Sequence, residues 1–123
     1  MGWFSKKEEE KKLNWIELTT EQQLEEAINR SSEKPALLFK HSTRCSISSM
    51  AFNGFQTRWQ GEEGDIDIYY LDLIRFRNVS DKIAELTNVI HQSPQVIVLK
   101  NKEVVYTATH SSISAHDALK SIQ

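Results

Sequence analysis

Residues 37–55 read LLFKHSTRCSISSMAFNGF, and the fold depends on how that stretch divides. Its first part, with Pro35 and Ala36 just ahead, is a continuous apolar run of strand length. Such a run suits a strand buried on both faces. The later part carries apolar residues at helical spacing to roughly Trp59. Between the two sits Cys45, the single cysteine of the chain. The first amides of a helix lack intrahelical partners, and the positive end of the helix dipole favours an anion beside them. Lys40, His41 and Arg44 lie just upstream, and no acid occurs between Lys34 and Glu62. The sequence therefore predicts that Cys45 is a reactive thiol favouring its anionic form, not a small buried hydrophobe. Arg44 and the helix amides are the expected activators, with Lys40 and His41 further off.

Upstream, NWIEL (residues 14–18) reads as a short strand or extended lead-in. TTEQQLEEAINRSS (residues 19–32) reads as a helix capped by Thr20, with Leu24, Ala27 and Ile28 on its inner face. Downstream, IDIYYLDLI (residues 66–74) is strand-like. NVSDKIAELTNV (residues 78–89) is helical, with Ser80 the expected cap and Ile83, Leu86 and Val89 or Ile90 facing inward. HQSPQVIVLKNKEVVYTATH (residues 91–110) reads as two strands about a tight turn at Asn101-Lys102. A last helix follows, capped by Ser114. The order is (β)αβαβα followed by ββα. Its alternating half predicts parallel strands with crossover helices, and its second half a hairpin and a covering helix. This order fits an α/β fold of thioredoxin-like arrangement, a central mixed sheet flanked by helices, although periodicity alone does not separate it from other small α/β folds. It occupies residues 13–123 behind a charged N-terminal tail, residues 1–12. In such a fold the proline before the hairpin, Pro94, is cis and lies by the active thiol, with Ser93 offering backbone groups to an incoming peptide or thiol. Phe39, Phe52, Phe55, Trp59, Tyr69 and Tyr70 are expected in the core or on the sheet, with Trp15 against the sheet edge.

Composition narrows the function. The chain has 15 basic and 17 acidic residues, a net charge of −2, with neither half strongly basic, which predicts no nucleic-acid partner. No apolar run reaches the roughly 18 residues of a membrane span. The start, MGWFSKKEEEKK, has no signal-peptide core, and a single cysteine allows no internal disulfide. Both point to a reducing cytoplasm, and the chain is expected to be a monomer. His41, His91, His110 and His116 do not fall at zinc-ligand spacings around Cys45, so no metal is expected.

FKHSTRCSISSMAF (residues 39–52), with HQSPQVIVLKN (residues 91–101) further on, resembles the monothiol bacilliredoxins, a YtxJ-like family of thioredoxin-fold proteins. The likeness runs from about Trp15 onward. In that family the site is usually Thr-Cys-Pro-Ile-Ser; here Arg44 precedes the cysteine and Ser46 replaces the proline. The resemblance implies a thiol–disulfide oxidoreductase that removes bacillithiol, a small thiol, from mixed disulfides on protein cysteines. Cys45 would be the nucleophile, and Thr43, Ser46, Ile47, Ser93 and Pro94 would shape the groove. Ser48 stands where Cys-x-x-Cys proteins have their second thiol. It cannot close a disulfide, but it is a possible hydrogen-bond donor to the thiolate. Bacillithiol would be a co-substrate, with no permanent cofactor. The partners would be bacillithiolated proteins, and a second small thiol or a dithiol reductase that releases Cys45. Three alternatives stand beside this reading. A one-cysteine peroxidase needs a proline where Leu38 stands. A glutaredoxin-like iron–sulfur carrier needs Cys-Gly-Phe-Ser, of which only the ends are kept. A non-catalytic module would use the Cys45–Pro94 groove to hold a peptide.

Overall fold

The computed structural model describes residues 12–123, so most of the expected charged tail lies outside the described residues. The elements run in chain order as β1 (Ile16–Glu17), α1 (Glu21–Arg30), β2 (Ala36–His41), α2 (Ser46–Arg58), β3 (Asp67–Asp72), α3 (Arg77–Thr87), β4 (Gln95–Lys100), β5 (Glu103–Thr109) and α4 (Ala115–Ser121). The sheet order is β1-β3-β2-β4-β5. β3 is parallel to both β1 and β2, whereas β4 is antiparallel to β2 and β5. Alternation followed by a hairpin thus gives the expected mixed sheet.

β2 is the middle strand, and every one of its residues is buried. Because strand side chains alternate, it feeds two cores. Ala36 and Leu38 join Leu24 of α1, Leu71 of β3 and Val79 and Ile83 of α3 on one face. Leu37 and Phe39 join Phe55 of α2, Val96 and Val98 of β4 and Ala118 of α4 on the other. Trp15 belongs to this second core. Its ring lies 5.0 Å from that of Phe52 and 5.9 Å from that of Phe39. Its indole N–H donates to Gln56 Oε1 at 2.9 Å, which ties the N-terminal segment to α2.

Thr20 and Ser114 cap their helices as expected, each accepting from the backbone N–H three residues on. Two expectations for α3 fail. The helix starts at Arg77, with Phe76 at its cap position and no capping side chain. Ser80 is therefore not the cap but a fully buried residue within the helix. Leu86 is not on the inner face but 42% exposed, and Ile90 is more exposed still. Starting the helix earlier turns Val79, Ser80 and Ile83 inward. Asn88, in the left-handed region at φ 58°, then ends the helix.

Candidate active site

β2 stops at His41, and a short turn leads into α2. That turn is closed by the Cys45 N–H, which donates to the Ser42 carbonyl at 3.1 Å. Cys45 is the cap residue of α2 with extended backbone (φ −107°, ψ 119°), and its carbonyl accepts from Ser49 N–H at 3.0 Å. Its sulfur makes no capping hydrogen bond. The side chain is exposed. Thr43, Arg44, Ser46 and Ile47 are exposed around it, so the chain itself brings these expected site residues together.

Ser48 turns inward and is fully buried. Its hydroxyl oxygen accepts from Ser42 N–H at 3.0 Å and lies 2.7 Å from His41 Nδ1. Burial pushes the His41 imidazole below its ordinary value, and the nearby Asp72 charge opposes this only in part. A neutral ring with its proton on Nε2 lets Ser48 O–H donate to Nδ1. The Ser48 hydroxyl thus joins the end of β2 to the first turn of α2 and frames the turn that carries the sulfur. It is engaged by His41 and Ser42, not by Cys45. The His41 ring stacks on Phe52 at 5.2 Å with an interplanar angle of 11°. Sequence reading missed this pairing. The available signal was strand alternation, which puts His41 on the Phe39 face, beneath α2.

Lys40 does not belong to the field around the sulfur. Alternation sends it to the opposite face, where it is fully buried with Nζ 2.7 Å from His91 Nδ1. Ser80 Oγ lies 3.2 Å from the same nitrogen. Burial lowers the Lys40 value to about 8, with Asp81 raising it and Arg77 lowering it. Burial, then the charges of Lys40 and Arg77, push His91 down as well. At neutral pH the Lys40 ammonium therefore donates to an uncharged imidazole. Of the upstream cations named from the sequence, this leaves Arg44, which is exposed and adjacent to Cys45 in the chain.

The Ser93-Pro94 peptide is cis. Lys40 pairs with Gln95, so the antiparallel register brings Pro94 opposite His41, at the end of β2 that continues to Cys45. The Gln95 side chain holds the preceding loop, with Nε2 donating to the Ile90 carbonyl at 2.9 Å. The Pro94 carbonyl accepts from His110 N–H at 3.1 Å. Ser93 Oγ is buried and has no hydrogen-bond partner among the described residues.

The family model described as monothiol bacilliredoxin BrxC matches residues 16–118. A solved structure, described as a candidate oxidoreductase with a thioredoxin fold, is 36% identical with a TM-score of 0.70 and covers 88% of this chain and 93% of its own. Thioredoxin from Malassezia sympodialis is 13% identical with a TM-score of 0.68, over 91% of this chain and 90% of that one. Thioredoxin from Schistosoma mansoni is 20% identical with a TM-score of 0.65, over 89% and 93%. The two thioredoxins share the fold; their low identity carries nothing further.

Proposed function

The chain belongs to the monothiol bacilliredoxin family, a thioredoxin-fold thiol oxidoreductase family, and on that premise we propose that it removes bacillithiol from protein mixed disulfides. One observation carries this reading: the only thiol is exposed at the start of α2, while the position three residues on is a buried, hydrogen-bonded serine. In the first step the Cys45 thiolate attacks the bacillithiol sulfur of the client's mixed disulfide. The client sulfur leaves as a thiolate and takes a proton from solvent, and Cys45 carries bacillithiol as a new mixed disulfide. Ser48 has no sulfur with which to displace it. A second bacillithiol, or a dithiol reductase, therefore attacks the adduct and regenerates the Cys45 thiolate. Electrons balance, because one disulfide is consumed and one is formed at each step. Arg44 and the first-turn amides of α2 would be the groups that flank the attacking sulfur. Ser93-Pro94 would form the opposite wall for the incoming sulfur. A reducing compartment such as the cytoplasm suits a lone exposed thiol.

The test is intact-mass spectrometry of a bacillithiolated client mixed with this protein. Transfer of the adduct onto Cys45, abolished in Cys45→Ser, is the expected result. A peptide-binding module without redox chemistry would show no transfer, and its Cys45 would react with iodoacetamide at neutral pH no faster than a free thiol.

A further inference from the structure

A groove of about 720 Å³ runs between α2 and the segment that leads into α4. Cys45 is not among its lining residues, but one end of it lies on the first turn of α2, which Cys45 caps. Ile47, two residues after Cys45, lines one wall, and His110, bonded to the Pro94 carbonyl, lines the other. From there it passes Met50 and Gly54 towards Arg58 on the α2 side, and His116 on the α4 side. Ile47 is 63% and Met50 74% exposed, unusual for large apolar side chains that have a core available.

Charge sets this groove apart in a chain with a net charge of −2. No acidic residue among the described residues lines it. The nearest acid in the sequence of α4, Asp117, lines a different surface depression with Gln92 and Tyr106. Arg58 takes part in none of the ion pairs among the described residues. Its guanidinium lies over Gly54, where a Cβ would stand 2.7 Å from Nη1. Glycine therefore leaves room for the guanidinium one helical turn closer to Cys45 than the Arg58 backbone. At 1.5 Å per residue, Gly54 is about 14 Å from Cys45 along the helix. An extended thiol of roughly tripeptide size reaches about 10–11 Å, and the disulfide at one end and the Arg58 side chain at the other would span the remainder.

We propose that this groove binds the anionic end of the low-molecular-weight thiol while its sulfur is bonded to Cys45, with Arg58 receiving a carboxylate and His110 and His116 flanking it. The inference rests on the thiol-exchange reading above and adds to it the place on this chain where the thiol's anionic end is held. A guanidinium suits this task because it presents paired N–H donors to a carboxylate in a fixed plane.

Symmetric disulfides of bacillithiol, glutathione and cysteamine provide the test. In each case the Cys45 thiolate displaces one thiolate from the disulfide and keeps the other half, so adduct growth can be timed by intact mass. The first two carry carboxylates, whereas the third is cationic. Arg58→Gln is expected to slow adduct formation from the carboxylate disulfides about tenfold, the scale of one charge-assisted contact. The cystamine rate should stay within about twofold, allowing for weak surface electrostatics. Arg58→Lys should restore part of the loss, and Gly54→Ala, which displaces the guanidinium, should reproduce part of it. A larger effect on one anionic disulfide than on the other identifies which thiol the groove fits. Equal rates for wild type and Arg58→Gln, or equal slowing with all three disulfides, would overturn the proposal and leave the thiol-exchange reading standing. Should wild-type protein form no adduct with any of the three, both readings fall.

Discussion

Ser48 shows how a residue can hold a catalytic position without performing its chemistry. In a dithiol protein this position would carry the sulfur that ejects the substrate. Here it is a buried hydroxyl that satisfies the Ser42 amide and His41 Nδ1 at once. Removing it leaves the buried His41 Nδ1 and the part-buried Ser42 amide without this partner. Ser48→Ala should therefore cost about 1–3 kcal/mol, the usual penalty for orphaning buried groups. Urea denaturation measures this directly, and a variant within about 0.5 kcal/mol of wild type, the range of an inert surface change, would mean the hydroxyl frames nothing. The same residue marks a limit of sequence reading. Lys40, His41 and Arg44 look alike as upstream cations, yet alternation along β2 sends the first to one face and the second to the other. Burial then leaves His41 uncharged. A local charge count cannot distinguish a field from a pair of buried networks.

At the scale of elements, what was legible was what local chemistry decides. Thr20 and Ser114 accept from Gln23 N–H and Asp117 N–H at 3.0 and 3.1 Å, as residues written before apolar periodic runs should. The Asn101-Lys102 turn was also legible, and both residues sit in the left-handed region at φ 54° and 65°. α3 was misread because its start is set by the chain leaving β3: Phe76 N–H donates to the Asp72 carbonyl at 3.0 Å, and no capping side chain announces it. The hairpin gives a sharper test. Two-residue turns of this hand favour glycine at the second position, and a lysine there bears the left-handed penalty. Lys102→Gly should raise stability by about 1 kcal/mol, the scale of that penalty. The turn should stay docked, because the amides of Asn101 and Lys102, not their side chains, donate to the Ser31 carbonyl and hydroxyl at 2.8 and 2.9 Å. A lower denaturation midpoint in the variant would show that the lysine side chain contributes more than its backbone costs.

Across the whole molecule, the two buried networks give stability an unusual dependence on pH. His41 and His91 lie on opposite faces of the sheet, and burial lowers both. As pH falls through about 6.5, histidines of the unfolded chain take up protons that the folded ring sites resist, so stability is lost on the acid side. Lys40 acts in the same direction at higher pH. Its folded value is about 8 against an ordinary 10.5, so between those limits the unfolded chain holds a proton that the folded protein has released. Stability therefore rises with pH across that window. The tyrosines reverse the trend. Burial raises Tyr69, Tyr70 and Tyr106 above their ordinary 10, so above that pH the unfolded chain ionises first and stability falls. Maximum stability is expected between about pH 8 and 10, above the usual range of about 5–8. Urea midpoints at pH 5, 7 and 9 should rise in that order. Lys40→Met removes the group that titrates between the last two, so its midpoints at pH 7 and 9 should nearly coincide. A wild-type midpoint at pH 9 at or below that at pH 7 would mean that the Lys40 ammonium is held as comfortably in the fold as in water, against its full burial beside an uncharged imidazole.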